Sequence, residues 1–173
     1  ELGIILDSKA ALQLDEIHKD LVILGGNVYA VEFATLFNAL GSSVTMIFNS
    51  EGILSTVEKE MSKTLERQLK KDGIKIVANA EIKSFSLDGI IVEQKGKEKV
   101  FKADKYLMSL GIKPNLSGIE SLNLMLNSKG FIETNERMET NIKGVYAIGD
   151  VNGKYPLAHV ASAEGIIAAE NIM

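Results

Sequence analysis

Apolar runs separated by glycines and polar turns divide the first half of the chain into short buried segments. The runs "LVILG" (residues 21–25) and "SVTMIF" (43–48) predict strands, and helical spacing of apolar positions predicts a helix from about Val28 to Leu40. A strand, a helix and a strand in this order predict a right-handed βαβ unit with parallel strands. The helix is expected to bury five side chains, Val31, Phe33, Ala34, Phe37 and Leu40.

The pattern continues with a second helix and then changes to an alternation of apolar and polar positions. A helix is predicted from about Glu58 to Lys71, ending at "KKDG", and "IKIVANAEI" (74–82) predicts one strand. The buried face of this second helix is expected to hold Met61, Leu65 and Leu69. Alternating positions around "DG" and "KGKE" then predict an antiparallel three-stranded meander, followed by a last strand at 105–109. The prediction is an α/β fold with a doubly wound, Rossmann-like parallel sheet and this meander.

The remainder of the chain has weaker signals and predicts a second domain. We expect residues 1–115 to form one domain and residues 116–173 to form a linker and part of another. "KGFIETN" (129–135) and "GVYAIGD" (144–150) predict strands. A final helix is predicted to begin near Leu157 or Ala158.

Composition narrows the class of protein. The 173 residues carry a formal net charge of -4, so neither nucleic acid nor an anionic membrane is an expected partner. The absence of cysteine excludes disulfides, thiolate metal sites and thiol catalysis within this chain, and is compatible with the cytoplasm. No apolar run approaches ~20 residues, so no membrane span is predicted. Because the chain starts at Glu1 rather than Met, we expect a fragment of a longer protein.

The turn after the first predicted strand is an altered nucleotide-binding motif. The glycine positions of G-x-G-x-x-G hold Gly25, Asn27 and Ala30, with Gly26 between the first two. Alanine is an accepted variant at the third position, whereas asparagine at the second places a side chain where a diphosphate would approach. The helix N-terminus that begins at Val28 still offers free N–H groups and a positive dipole end. The motif therefore predicts weakened anion binding, or alternatively a tight loop with no ligand.

The end of the next strand lacks the usual ribose contact. An acid there would bind the ribose hydroxyls of NAD, and an arginine would pair with the additional phosphate of NADP. Here the strand ends in Phe48, followed by Asn49 and Ser50. Asn49 is the available hydrogen-bonding substitute.

Four stretches in this order carry a family resemblance: "ILGGNVYAVEFATLFNALGSSVTMI", "SLGIKPN", "TNIKGVYAIGDV" and "LAHVASAEGIIAAENI". Together they resemble the pyridine nucleotide-disulfide oxidoreductases, and within that family the dihydrolipoamide dehydrogenases. The most specific feature is "AIGDV" with His159 following nine residues after Asp150. The resemblance implies that residues 1–115 form the NAD(P)-binding domain and that the tail is the returning segment of the FAD-binding domain.

The resemblance also assigns site residues. For NAD it implies Gly25, Gly26, Asn27, Val28, Ala30, Glu32, Phe48, Asn49, Ile82 and Gly111, with Ile112 in place of the usual arginine. For FAD it implies Asp150, Ala158 and His159. Glu32 would lie at the nicotinamide end of the groove, and Ile82 would lie against the adenine. Ordinary alternatives remain, namely an exposed helix acid for Glu32, packing for Ile82, a cap or turn for Asp150 and a structural histidine for His159.

The parts that this family needs and this chain lacks are equally informative. The redox cysteine pair, the N-terminal FAD fingerprint and the C-terminal dimerisation domain with its catalytic histidine and glutamate are not present in this sequence. We therefore assign no catalytic residue and expect an incomplete FAD site, and no metal ligand is assigned either. The resemblance implies a homodimeric parent that passes electrons between a dithiol, such as a lipoyl group, FAD and NAD. The alternatives are another disulfide reductase or an NADH oxidase of the same superfamily, or a non-catalytic homologue that has lost nicotinamide binding.

Overall fold

The computed structural model describes residues 3–86 and 88–173. The chain divides into two units, one ending at Gly111 and the other spanning Ile112–Met173, and each is described by itself. The strands are β1 (Ile5–Leu6), β2 (Asp20–Leu24), β3 (Ser43–Ile47), β4 (Lys75–Val77), β5 (Ala80–Ser86), β6 (Gly89–Gln94), β7 (Lys97–Phe101) and β8 (Lys105–Met108). The helices are α1 (Ser8–Ala11), α2 (Val28–Ala39), α3 (Lys59–Lys71) and α4 (Ala158–Ile172).

A parallel sheet in the order β1-β8-β2-β3-β4 forms the centre of the first unit. Strand β2 is apolar at consecutive positions because both faces of the sheet are covered. Leu21 and Ile23 point into a core shared with α2, whereas Val22 and Leu24 point into a core shared with the antiparallel sheet β5-β6-β7. The predicted α/β class, with a parallel sheet and an antiparallel meander, is confirmed.

Helices α2 and α3 lie where the apolar spacing predicts them, with two corrections to the predicted buried faces. Leu40 is 51% exposed because α2 ends at Ala39 and Leu40 is its C-cap. Met61 is 67% exposed on the first turn of α3, whereas Leu69 is buried. The short elements β1 and α1 were not predicted, since two and four residues are too few to establish a period.

The segment predicted as one strand at 74–82 is two strands in different sheets. Strand β4 pairs with β3 in the parallel sheet, and β5 pairs with β6 in the antiparallel one. Asn79 lies between them with a φ of 52°, a left-handed conformation that interrupts a ladder. The turn between β6 and β7 also has positive φ at both Lys95 and Gly96, which suits a tight hairpin.

The second unit contains less regular structure than the sequence predicts. Within the described residues, the strands predicted at 129–135 and 144–150 are isolated bridges, Leu126 with Ile132 and Glu139 with Tyr146. Asparagine side chains occupy the backbone amides that a ladder would use: Asn127 Oδ1 accepts from Lys129 and Phe131. Such local side-chain to backbone bonds compete with strand pairing.

A short 3-10 turn, Gly149–Asn152, replaces the end of the second predicted strand. Gly149 has a φ of 73°, which turns the chain out of the extended conformation. Helix α4 then begins at Ala158, as predicted. No helix in the described part of the chain is long and apolar enough to cross a membrane.

Candidate functional site

Gly25 leaves β2 in a conformation that only glycine adopts readily. Its φ is 139°, and its amide donates to the carbonyl of Ile47 at 2.8 Å. A Cβ at this position would overlap the carbonyl oxygen of Ser109 and lie 2.9 Å from its carbonyl carbon. The first glycine of the motif is therefore required by the close approach of the residue after β8.

Gly26 and Phe48 form a second close contact. A Cβ on Gly26 would lie 3.0 to 3.3 Å from three carbon atoms of the Phe48 ring, and Phe48 is only 5% exposed. The Gly26 carbonyl also accepts from the Leu54 amide at 2.6 Å. Phe48 thus packs on the glycine turn instead of presenting a polar group to solvent.

Asn27 is the N-cap of α2 and also a link to the strand β8 side of the sheet. Its Oδ1 accepts from the Ala30 amide at 2.9 Å and from the Ser109 hydroxyl at 3.1 Å, while its Nδ2 donates to the Ser109 carbonyl at 2.8 Å. Asparagine is a favoured N-cap because its side-chain oxygen satisfies a free amide of the first turn. The residue that departs from the nucleotide-binding motif therefore has a structural function of its own.

The first turn of α2 keeps two unused donors. Among the described residues, no protein group accepts from the amides of Val28 and Tyr29, and the first turn contains no acidic residue. These amides lie at the positive end of the helix dipole, at the carboxyl end of a parallel strand. Ala30 is fully buried, which is consistent with close helix-to-strand packing at the third glycine position. The arrangement fits a diphosphate.

The other residues assigned to NAD vary in their surroundings. Glu32 and Asn49 are exposed, and the described residues provide no hydrogen-bond partner for either side chain. Ile82 is half-buried and packs against the core beneath the antiparallel sheet. Gly111 is exposed with a φ of 138°, and a Cβ there would meet no atom within 4 Å.

Five residues lie together around one turn, namely Gly25, Gly26, Asn27, Phe48 and Ser109. Ser109 was not predicted as a site residue, although it begins the stretch "SLGIKPN".

In the second unit, Asp150 lies in a turn that the buried carboxylate of Glu164 stabilises by hydrogen bonds. Glu164 of α4 is 6% exposed and accepts from the Gly149 amide at 2.6 Å and from Asn152 Nδ2 at 2.8 Å. A Cβ on Gly149 would lie 3.2 Å from Ala161 Cβ, so the turn packs closely on the helix. Asp150 itself is exposed. The sequence analysis did not single out Glu164, whose only signal is an acid within an otherwise apolar stretch.

Ala158 and His159 occupy the first turn of α4. Both are exposed, and Leu157, the N-cap residue, makes no side-chain hydrogen bond to the helix. An exposed carboxylate at Asp150 near a tightly packed turn fits a ligand with hydroxyl groups, such as the ribityl chain of a flavin. The roles of Asp150, Ala158 and His159 toward FAD stay predictions. Within the residues described, no cluster of histidine, aspartate or glutamate suited to a metal ion occurs.

The parallel sheet, its meander and the glycine turn at the carboxyl end of β2 define the class of FAD- and NAD(P)-binding α/β folds. The chain belongs to the pyridine nucleotide-disulphide oxidoreductase family, whose sequence profile matches residues 1–165. This confirms the family resemblance inferred from the four stretches.

Curated relatives and a solved structure agree with that membership. The chain is 44% identical over 173 residues to a dihydrolipoyl dehydrogenase of Acholeplasma laidlawii, covering 100% of this chain and 51% of that protein. It is 37% identical over 174 residues to the dihydrolipoyl dehydrogenase of Geobacillus stearothermophilus, covering 97% of this chain and 37% of that protein. The chain therefore spans about half or less of the length of these relatives.

The fold is also similar to that of the HOCl-induced flavoprotein disulfide reductase RclA from Escherichia coli. The TM-score is 0.85 at 24% sequence identity, and the match covers 100% of this chain and 40% of that one. At this identity the similarity shows the fold alone.

Proposed function

We propose that the chain is the NAD-binding unit, together with part of the FAD-binding unit, of a flavin-dependent oxidoreductase that resembles dihydrolipoamide dehydrogenase. The observation that carries the proposal is the pair of unused amides, at Val28 and Tyr29, beside the Gly25 turn. Backbone donors at a helix N-terminus that follows a glycine turn are a common diphosphate site. The family membership supplies the reaction class.

In this proposal the first unit binds the dinucleotide through α2. The amides of Val28 and Tyr29 bond the diphosphate, and Gly25 keeps the turn close enough for them to do so. Glu32 and Gly111 contact the nicotinamide end, whereas Asn49 and Ile82 contact the adenosine end. The turn at Gly149 presents Asp150 to the ribityl hydroxyls of FAD, with Ala158 and His159 near the ring.

The whole protein would pass electrons from a dithiol, such as a lipoyl group on a partner domain, to NAD. When bound, FAD supplies the redox chemistry, and the protein supplies binding and orientation. This chain contains no cysteine, so we propose that it does not catalyse dithiol oxidation by itself. A homodimeric, cytoplasmic parent protein is part of the same proposal. The alternatives within the superfamily are another disulfide reductase and an NADH oxidase.

A non-catalytic homologue is a second candidate function, and one observation favours it. Both residues that depart from the nucleotide-binding motif have structural contacts: Asn27 caps α2 and bonds to Ser109, and Phe48 packs on Gly26. A homologue that has lost nicotinamide binding is expected to use Asn27 and Phe48 for fold stability and not for nucleotide contacts. Nucleotide titration separates the two candidates.

The first test removes one amide without disturbing the helix. Val28→Pro deletes the N–H at the first helical position, where proline is favoured, and Asn27 already has the extended backbone (φ -80°, ψ -179°) that a residue before proline requires. We expect Val28→Pro to weaken NADH binding by about tenfold or more, since a hydrogen bond to a charged group contributes about 1.5–3 kcal/mol. Isothermal titration calorimetry of the 173-residue chain at low salt measures the change.

Val28→Ala is the matched control because it removes the side chain and keeps the amide. We expect Val28→Ala to bind NADH with an affinity close to that of the unchanged chain. Equal weakening by both substitutions would argue against the diphosphate site. No detectable heat with NADH for the unchanged chain would favour the non-catalytic homologue.

A second test concerns the asparagine at the second glycine position. Asn27→Gly releases the Ala30 amide that Asn27 Oδ1 occupies, so a third donor becomes available to the diphosphate. We expect NADH binding to tighten by about tenfold, and the free energy of unfolding to fall by about 1 kcal/mol because the cap and the bonds to Ser109 are lost. Calorimetry and urea denaturation measure the two effects. Gln13→Gly, at an exposed loop position to which no contact with the dinucleotide is assigned, controls for the flexibility of the new glycine. Similar results for both variants would contradict the expectation.

A further inference from the structure

The end of β3 presents a buried ring at the position where dinucleotide-binding folds select between cofactors. In such folds an acid after the second strand bonds the adenosine ribose 2′-hydroxyl of NAD, and an arginine nearby binds the 2′-phosphate of NADP. Phe48 stands at this position and is 5% exposed. It has neither an acceptor for the hydroxyl nor a negative charge that would repel the phosphate.

The ring is fixed in place by its backbone and by the glycine turn. The Phe48 amide donates to the Val77 carbonyl at 3.1 Å, and the Phe48 carbonyl accepts from the Ala80 amide at 3.0 Å. The ring lies so close to Gly26 that a Cβ there would be 3.0 Å from it. Phe48 therefore closes this side of the turn with an apolar surface.

The charges that follow Phe48 along the chain do not favour either cofactor. The loop after β3 and the start of α3 line a pocket with two acids and two bases, Glu51, Glu66, Lys59 and Lys63. Lys59 Nζ lies 3.4 Å from Glu51 Oε2, and Lys70 Nζ lies 2.6 Å from Glu66 Oε1. Each lining acid has a lysine partner, and the one lysine in excess, Lys63, is exposed and screened by solvent and salt, so a 2′-phosphate meets little net attraction there.

We infer that Phe48 makes this chain bind NADH and NADPH with similar affinity. The inference rests on the proposed function, because it concerns the same dinucleotide groove. The diphosphate contacts at Val28 and Tyr29 are common to both cofactors, and the group that would distinguish them is replaced by the apolar ring. Phe48 thus determines specificity because its side chain neither bonds the 2′-hydroxyl of NADH nor repels the 2′-phosphate of NADPH.

The test compares dissociation constants for NADH and NADPH on the 173-residue chain by isothermal titration calorimetry at low salt. We expect the two constants to agree within about threefold, a small difference on the free-energy scale. A preference above about threefold for either cofactor would overturn the inference while leaving the proposed function intact. Binding of neither cofactor would overturn the proposed function, and the inference with it.

Two variants then move the preference toward NADH. Phe48→Glu places the acid at the strand end, and we expect it to raise the ratio of the NADPH to the NADH dissociation constant by about tenfold. Because Phe48 is buried and its substitution can impair folding, Asn49→Asp provides the same charge at an exposed neighbouring position. Lys71→Gln changes the net charge by the same amount before the amino end of β4, whereas Asn49 follows the carboxyl end of the neighbouring parallel strand β3. We expect Lys71→Gln to leave the ratio unchanged. An unchanged ratio in Asn49→Asp, or an equal shift in Lys71→Gln, would overturn the inference.

Discussion

Gly25→Ala is expected to lower the free energy of unfolding of the first unit by about 4 kcal/mol, which combines overpacking with backbone strain. The added Cβ would overlap the carbonyl oxygen of Ser109, and alanine would also be held at a φ of 139°. Backbone atoms cannot move aside as a flexible side chain can, so β8 and β2 would have to separate locally. Hydrogen exchange of the β2 amides, which reports on this unit alone, measures the loss.

Gly111→Ala is a closely matched control for Gly25→Ala. Its φ of 138° is nearly the same, but a Cβ there would meet no atom within 4 Å. We therefore expect Gly111→Ala to show only the cost of backbone strain, about 1–3 kcal/mol. If the two substitutions destabilise the unit equally, the overlap with Ser109 contributes nothing and the description of the turn is wrong.

The same contact determines how nucleotide binding should be tested. Any larger residue at Gly25 damages the fold around the turn as well as the binding site, so loss of NADH binding in such a variant would not separate the two effects. Val28→Pro removes a proposed ligand atom at a position where proline suits the helix. It is therefore the more informative substitution.

Glu164→Ala is expected to destabilise the second unit by about 3 kcal/mol. The substitution would leave the Gly149 amide and Asn152 Nδ2 without their common acceptor, and Glu164 is itself buried. A buried donor that loses its partner incurs its full desolvation cost, which is larger than the net contribution of an ordinary hydrogen bond. Hydrogen exchange of the α4 amides measures the effect in this unit.

Two further substitutions separate the hydrogen bonds from the helix itself. Glu170→Ala, at an exposed position on the same helix, is expected to change the stability by about 0.5 kcal/mol or less. Glu164→Gln keeps the shape and one acceptor oxygen, so an intermediate loss of about 1–2 kcal/mol is expected. Equal effects of Glu164→Ala and Glu170→Ala would mean that the carboxylate does not hold the Gly149 turn.

Much of the first unit could be predicted from local patterns. The order β2, α2, β3 follows from a change of hydrophobic period within a short stretch, and the glycine turn follows from the position of Gly25 between the strand and the helix. The strand predicted at 74–82 failed at Asn79 because its apolar pattern continues through the turn. A left-handed residue between two apolar runs has little signal in the sequence.

The sequence by itself determined the fold class, the family and the location of the candidate nucleotide site, because these depend on period, turn residues and motif order along the chain. Only the tertiary structure decided what the unusual residues do. Asn27 hydrogen-bonds to Ser109, which lies 82 positions away in the sequence, and Phe48 packs on Gly26 where the neighbouring strands β3 and β2 end. Glu164 of α4 accepts a hydrogen bond from the Gly149 amide and so fixes the Gly149 turn. Contacts between residues that are distant in the sequence follow from how the elements pack, and no local pattern encodes them.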